Sequence, residues 1–204
     1  MTTPIRVLLA DDENLVRSAV AGLLDLADDI EVVAQAASGP EAIAMGRKEE
    51  PDVAVLDLQM PGADGLTVAA ALHADVPTCR TMIVTSHGRP GYLRRALEVG
   101  VRGFLPKTAS GTTLTDAVRT VAAGGRYVDP ELAADAIAVG QSPLTPRESD
   151  VLELAAGGAG IEEIAAKVSL SPGTVRNHLS AAGGKLGVAN RHEAVAKARR
   201  LGWI

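Results

Sequence analysis

Four apolar runs in the first half of this chain each end on a polar group capable of chemistry. Val53-Ala54-Val55-Leu56 stops abruptly at Asp57, and Leu58-Gln59-Met60-Pro61-Gly62 turns the chain at once. Ile5-Arg6-Val7-Leu8-Leu9-Ala10 runs into the pair Asp11-Asp12. Thr81-Met82-Ile83-Val84 closes on the Thr85 hydroxyl, and Gly103-Phe104-Leu105-Pro106 on the Lys107 ammonium. If these runs are strands of one parallel sheet, their groups emerge at the edge where such sheets hold ligands. Three carboxylates are hard oxygen donors suited to Mg2+ or Mn2+. With a hydroxyl and a lysine beside them they suit transfer of a phosphoryl group onto Asp57, the cation screening the repulsion between the reacting anions. Singly, each residue reads as an ordinary strand end, cap or surface group. The signal lies in the set, reinforced by Met60-Pro61 and Asp64-Gly65.

The elements that must position these groups alternate regularly. Strand-like runs lie near 5–10, 31–36, 52–57, 80–85 and 102–105, and amphipathic stretches near 14–27, 40–49, 65–74, 90–98 and 110–123. Parallel strands need crossover connections, so this order predicts an α/β, doubly wound, five-stranded parallel (βα)5 domain over residues 1–124. Residues 125–142 read as a linker with one short helix. Beyond it only helical patterns occur, near 146–156, 160–167, 171–182 and 190–202, which predicts an all-α four-helix domain over 143–204.

Composition agrees with a two-part chain. The 204 residues are 47% hydrophobic but only 2% aromatic, so both cores must be built from Ala, Val, Leu and Ile. Residues 1–142 carry 12 Lys+Arg against 19 Asp+Glu, a net of −7, whereas 143–204 carry 8 against 6, a net of +2. Within 171–204 six bases face only Glu193. An acidic front and a basic tail suggest a regulatory half and a nucleic-acid-binding half. The lone Cys79 excludes an internal disulfide and reads as a small buried hydrophobe. With no long apolar run and no leader-like start, a cytoplasmic protein without membrane insertion is expected.

In the basic half, Thr145-Pro146-Arg147-Glu148 predicts a capping box with proline at the first helical position. Leu152, Leu154, Ile161, Ile164, Ala165 and Val168 form apolar stripes, and Ser171 caps a further helix bearing Arg176, Asn177 and His178. Two short helices followed by a capped, polar one make a helix-turn-helix. Its candidate DNA contacts are Thr174, Val175, Arg176, Asn177 and Ser180, with His178, Lys185 and Arg191 toward phosphates. Arg176, Asn177 and Ser180 fall on the exposed side, whereas Val175 and Leu179 point inward. Arg suits guanine and Asn suits adenine. Gly183-Gly184 predicts that this helix ends or frays there.

The acidic half resembles the receiver domain of bacterial response regulators. Residues 143–204 resemble the LuxR/NarL DNA-binding domain in Leu-Thr-Pro-Arg-Glu, Thr-Val-Arg-Asn-His-Leu and Lys-Leu-Gly-Val-Ala-Asn-Arg. The whole chain is similar to NarL/FixJ two-component regulators, and His87-Gly88-Arg89-Pro90-Gly91-Tyr92 to their DesR-like branch. This resemblance implies a phosphorylatable Asp57, with Asp12 a direct metal ligand, Asp11 a largely water-mediated one and the Gln59 carbonyl another. It implies that Lys107 and Thr85 hold phosphoryl oxygens, that Thr85 and Phe104 form the switch, and that Gln59 and His87 flank the path of water.

The partners it implies are a sensor histidine kinase, double-stranded promoter DNA, a second copy after phosphorylation, and RNA polymerase. A patch of Ala19, Leu23, Leu114, Ala117 and Val118 is a candidate dimer surface. In this class the last helix, with His192 and Trp203 read as packing or surface residues, often forms the DNA-bound interface. Departures are Pro106 before rather than after Lys107, expected to leave a trans bond, and Gly160, Ile161 and Glu162 where phosphate-binding residues are common. Other readings are weaker. A dinucleotide-binding fold wants glycines where Asp11-Asp12-Glu13 stands. An aspartyl-phosphate phosphatase wants a second Asp where Gln59 stands, which argues for a switch rather than an enzyme. A phosphorylation-independent DNA-binding regulator is the remaining alternative.

Overall fold

The computed structural model describes residues 3–86, 90–140 and 142–204. The chain divides into two compact units, with the main boundary in sequence between Ala134 and Asp135. In the first, β1 (Ile5–Ala10), β2 (Ile30–Ala36), β3 (Val53–Leu56), β4 (Arg80–Thr85), β5 (Gly103–Pro106) and β6 (Tyr127–Val128) form one parallel sheet in the order β2-β1-β3-β4-β5-β6. Five helices connect them: α1 (Asn14–Asp25), α2 (Gly39–Glu49), α3 (Gly65–Asp75), α4 (Pro90–Val99) and α5 (Gly111–Ala122). Strand order reverses at β1, whose neighbours are β2 and β3, so the crevice between the ends of β1 and β3 is the topological switch point.

Successive strand residues alternate between faces. Val7, Leu9, Val53, Val55, Met82, Val84 and Leu105 pack against Ala21 and Leu24 of α1 and against Leu114, Ala117, Val118 and Val121 of α5. The alternate residues Leu8, Ala54, Leu56, Ile83 and Phe104 are buried as well. A sheet buried on both faces explains why its strands read as continuous apolar runs. Cys79 is buried and free, and burial pushes its thiol up to about 11.

The doubly wound expectation holds, with one strand more than the five predicted. Tyr127 and Val128, read as linker, pair with Gly103 and Phe104. Two residues are too few for periodicity to reveal a strand. Asp129 then accepts hydrogen bonds from the Glu131 and Leu132 N–H groups, opening α6 (Pro130–Val139).

The second unit is helical: α7 (Pro146–Ala156), α8 (Ile161–Val168), α9 (Pro172–Leu186) and α10 (Arg191–Leu201). The capping box forms as predicted, with Thr145 Oγ1 accepting from the Glu148 N–H and a Glu148 carboxylate oxygen accepting from the Thr145 N–H. Val151, Leu152, Ile164, Ala165, Val175, Leu179, Leu186 and Ala194 meet in one core. Contrary to expectation, α9 neither ends nor frays at Gly183-Gly184; it runs to Leu186 and is closed by Gly187 in a left-handed conformation, φ 62°. Gly183 is buried, and its carbonyl accepts the Val188 N–H, so packing and the helix cap offset a propensity cost of about 1 kcal/mol per glycine.

Candidate functional site

Asp11 and Asp57 emerge side by side because β1 and β3 are hydrogen-bonded neighbours: the Asp57 N–H donates to the Ala10 carbonyl at 2.8 Å, and the Asp11 N–H to the Ala36 carbonyl at 3.1 Å. Both carboxylates are almost wholly buried, Asp57 at 7% exposure, while Asp12 stands in solvent. One carboxylate oxygen from each of Asp11, Asp12 and Asp57 lies within 4.8 Å of the others. The Leu58 N–H donates to Asp57 Oδ1 at 2.7 Å and the Glu13 N–H to Asp11 Oδ1 at 2.9 Å, which fixes the two carboxylates in rotation. Gly65 is required behind them. Its N–H donates to the Leu58 carbonyl at 2.9 Å, and a Cβ there would collide with the Asp57 carbonyl oxygen.

Lys107 completes the cluster. Its Nζ lies 2.8 Å from Asp11 Oδ2, 3.0 Å from Glu13 Oε1 and 3.3 Å from Asp57 Oδ2. Its own N–H donates to the Thr85 carbonyl at 2.9 Å, tying the end of β5 to that of β4. Thr85 is fully buried. Phe104 pairs with Ile83 across β5 and β4, so it lies on the same sheet face as Thr85 two residues further on, and it is buried too. No cis peptide occurs among the described residues, so the bond before Pro106 is trans, as expected.

The electrostatics follow from burial. Desolvation pushes the Asp57 carboxyl above the usual carboxylate range; the Lys107 charge opposes this and the Asp11 charge adds to it. Burial also works against the Lys107 ammonium, but hydrogen bonds to Asp11 and Glu13 and the Asp57 charge prevail and raise its pKa. Three carboxylates around the Lys107 ammonium, with Asp12 beside Asp11 and Asp57, leave surplus negative charge on hard oxygens at the mouth of the site. That donor set fits a divalent cation such as Mg2+ or Mn2+.

The sequence brought out Asp11, Asp12, Asp57, Thr85 and Lys107 but not the role of Glu13. Glu13 occupies the N-cap position of α1, yet its side chain makes no capping bond and reaches Lys107 instead. A residue at N-cap without a capping bond has no signature in sequence. Gln59 is exposed beside Asp57. His87 lies outside the described residues, as do Gly88 and Arg89 of the segment read as DesR-like.

In the helical unit, Ser171 Oγ accepts the Thr174 N–H at 3.1 Å and fixes the start of α9. Arg176, Asn177 and Ser180 are exposed on one side of it, and His178 and Thr174 are half-buried. Val175, counted among the candidate contacts, has 0% exposure and lies in the core, out of reach of DNA; its position follows from the inward stripe it shares with Leu179. Arg176 Nη2 lies 4.0 Å from a Glu162 carboxylate oxygen on α8, with both side chains in solvent. Arg191, half-buried, opens α10.

Lys185 is not simply a free base. Its Nζ donates to Glu148 Oε2 at 2.7 Å, and Glu148 is only 5% exposed. One carboxylate thus caps α7 and anchors the far end of α9. Burial alone would raise the pKa of Glu148, but hydrogen bonds from Lys185 and Thr145 outweigh it and hold the carboxyl below its ordinary value.

Comparison with known proteins agrees with both halves. The family described as "Response regulator receiver domain" matches residues 7–119, and that described as "Bacterial regulatory proteins, luxR family" matches residues 142–198. The transcriptional regulatory protein DesR of Bacillus subtilis is 40% identical over 200 residues, covering 98% of this chain and 99% of its own. The crystal structure of the response regulator ChrA of a heme-sensing two-component system is 35% identical, covers 100% of both chains and superposes with a TM-score of 0.60. A structure of the two-component response regulator RcsB in complex with DNA is 26% identical, covering 98% of this chain and 100% of its own, with a TM-score of 0.68.

Proposed function

The chain belongs to the two-component response regulators of the NarL/FixJ type, a receiver domain followed by a LuxR-type DNA-binding domain, and from that premise we propose a cytoplasmic transcription factor switched by phosphorylation of Asp57. The observation that carries the reading is the convergence of Asp11, Asp12 and Asp57 within 4.8 Å, with Lys107 3.3 Å from Asp57. A sensor histidine kinase donates the phosphoryl group. Asp57 Oδ2 is its acceptor, Lys107 pairs with a phosphoryl oxygen, and the Thr85 hydroxyl hydrogen-bonds another. Asp11, Asp12, Asp57 and the Gln59 carbonyl would hold Mg2+, which would neutralise charge at the transferring group when bound. Gln59 carries no ionisable group to act as general acid or base, which favours a switch over turnover of external substrates. Residues 1–124 together with the edge strand β6 then form the receiver, the rest of 125–142 the connection and 143–204 the effector, which reads promoter DNA through Arg176, Asn177 and Ser180.

Acetyl phosphate tests the reading without the kinase. With Mg2+, intact mass should rise by one phosphoryl group; with EDTA it should not. A mass that never changes would favour a phosphorylation-independent regulator, in which DNA binding persists without the modification.

Phosphorylation is also expected to pair two copies and align two DNA-binding domains on a two-half-site operator. Of the candidate dimer patch, Leu114, Ala117 and Val118 lie in the receiver's own core, so they are unavailable. Ala19 and Leu23 are exposed, however, and Leu15 of α1 and Leu26 at its C-cap, 83% and 80% exposed, extend them at helical spacing. An exposed apolar stripe of this kind marks an association surface. Sedimentation with beryllofluoride should show a shift from monomer toward dimer, reversed by Leu15→Arg. An unchanged mass at tens of micromolar protein would remove dimerisation from the mechanism.

A further inference from the structure

The strands that deliver Thr85 and Lys107 begin, at the opposite edge of the sheet, around a basic cavity. It has a volume of about 410 Å³, and its lining includes His73, Thr78, Arg80, Thr81, Arg102 and Arg126. That volume is in the range of small-molecule sites, roughly 300–1,000 Å³. We propose that this cavity is a binding site for a phosphate-type oxyanion, either free phosphate or a compact phosphomonoester.

Two guanidinium groups converge on one turn. Arg102 Nη1 donates to the Gly124 carbonyl at 2.8 Å. Arg80 lies on the same glycine: a Cβ built on Gly124 would stand 3.7 Å from its Nη2 and 3.8 Å from its Nε. Gly124 has φ 87°, which glycine adopts without strain. Arg126 follows two residues later in the same turn. The frame is fixed by ladder bonds, the Arg102 N–H to the Thr81 carbonyl at 2.8 Å and the Tyr127 N–H to the Arg102 carbonyl at 2.9 Å.

No carboxylate pairs directly with this cluster. Among the described residues no carboxylate lies within 4.0 Å of Arg80, Arg102 or Arg126. Asp75 pairs instead with Arg47 at 2.7 Å, and Asp52, whose backbone carbonyl accepts the Arg80 N–H at 2.9 Å, turns its carboxylate to the Arg6 N–H at 2.9 Å. This basic concavity stands in a half of the chain whose net charge is −7, from 12 Lys+Arg and 19 Asp+Glu over residues 1–142. Like charges gathered without a counter-ion repel one another, and an oxyanion relieves that repulsion. Arginine is the side chain best matched to it, since its planar fork binds two phosphate oxygens at once. The Thr78 and Thr81 side chains add hydroxyl groups to the lining, and His73 an imidazole. The concave shape favours a compact anion over an extended polymer backbone. The site is independent of the Asp57 reading, because it shares no residue with the acidic cluster.

Calorimetric titration of the full-length protein with inorganic phosphate and, separately, with AMP tests this. EDTA keeps the acidic cluster free of metal, and sodium chloride maintains constant ionic strength. Saturable one-to-one binding of either probe is expected, with amide shifts in NMR spectra at Thr81, Arg102 and Arg126. Arg80→Gln and Arg126→Gln should each weaken binding by about tenfold, the loss expected for one charge-assisted contact. Tighter binding of AMP assigns an organic phosphomonoester, and tighter binding of inorganic phosphate the free anion. A response that chloride reproduces at equal ionic strength, or saturable binding that survives the Arg80→Gln, Arg126→Gln double variant, would overturn the proposal. Thermal melting of each variant distinguishes lost binding from lost fold.

Discussion

Asp57→Asn should gain no mass from acetyl phosphate and Mg2+ under conditions that fully label the parent protein. The amide keeps the shape of the side chain, and its oxygen can still accept the Leu58 N–H that now donates to Asp57 Oδ1 at 2.7 Å. It lacks the anionic oxygen that attacks phosphorus, so the loss should be complete rather than partial. Folding should survive. Burial holds the Asp57 carboxyl above its ordinary pKa, so its ionised form opposes folding at neutral pH, and removing that charge relieves the native state. Lys107 keeps Asp11 at 2.8 Å and Glu13 at 3.0 Å. The variant should therefore melt no lower than the parent, which separates absent chemistry from absent structure. Undiminished labelling of Asp57→Asn would move the acceptor elsewhere and sink the assignment.

What the sequence made legible was local. β3 announced itself because four residues buried on both faces must all be apolar, and the run stops at the acid it presents. Thr145 with Glu148, and Ser171 with Thr174, announced helix starts because a cap bonds three residues ahead. What it hid was long-range or too short. Glu13 meets Lys107 across 94 positions and Glu148 meets Lys185 across 37, and no spacing rule reaches so far. β6 is two residues long and exists only because β5 offers it an edge. Gly183-Gly184 misled because helix propensity is a weak prior that burial in a helical core overrides. Three residues of the candidate dimer patch were misplaced for a related reason. Small apolar residues suit a helix that packs on a sheet as well as one that packs on a partner, and Leu114, Ala117 and Val118 face the sheet.

Arg176→Ala and Lys185→Ala should weaken DNA binding by different routes, and the Glu148 pairing changes what the second is expected to do. Arg176 lies in the first turns of a helix whose start is fixed by Ser171, with its side chain in solvent. Its contact with Glu162, 4.0 Å away and exposed, is a weak surface pair that a base edge readily replaces. Arg176→Ala should cost about 1–3 kcal/mol on the preferred operator and relax selectivity at one position. Lys185→Ala instead strips a buried carboxylate of its cation. That should destabilise the helical domain by about 1–3 kcal/mol and lower its melting temperature.

If Lys185 acts only through Glu148, the dependence of DNA affinity on salt should keep its slope. A base that contacts phosphate would reduce that slope by about one when removed. Glu148 supplies a further check through its sign. Its folded pKa lies below the ordinary value, so the stability from this pair is fully present above the unfolded carboxylate range and is lost as pH falls through the folded pKa. The gap in melting temperature between parent and Lys185→Ala should therefore be widest near neutrality and close in acid. Lys185→Arg, which keeps a cation within reach, should restore both stability and binding. A flattened salt slope with an unchanged melting temperature would return Lys185 to the DNA backbone, leaving Glu148 to cap α7 alone.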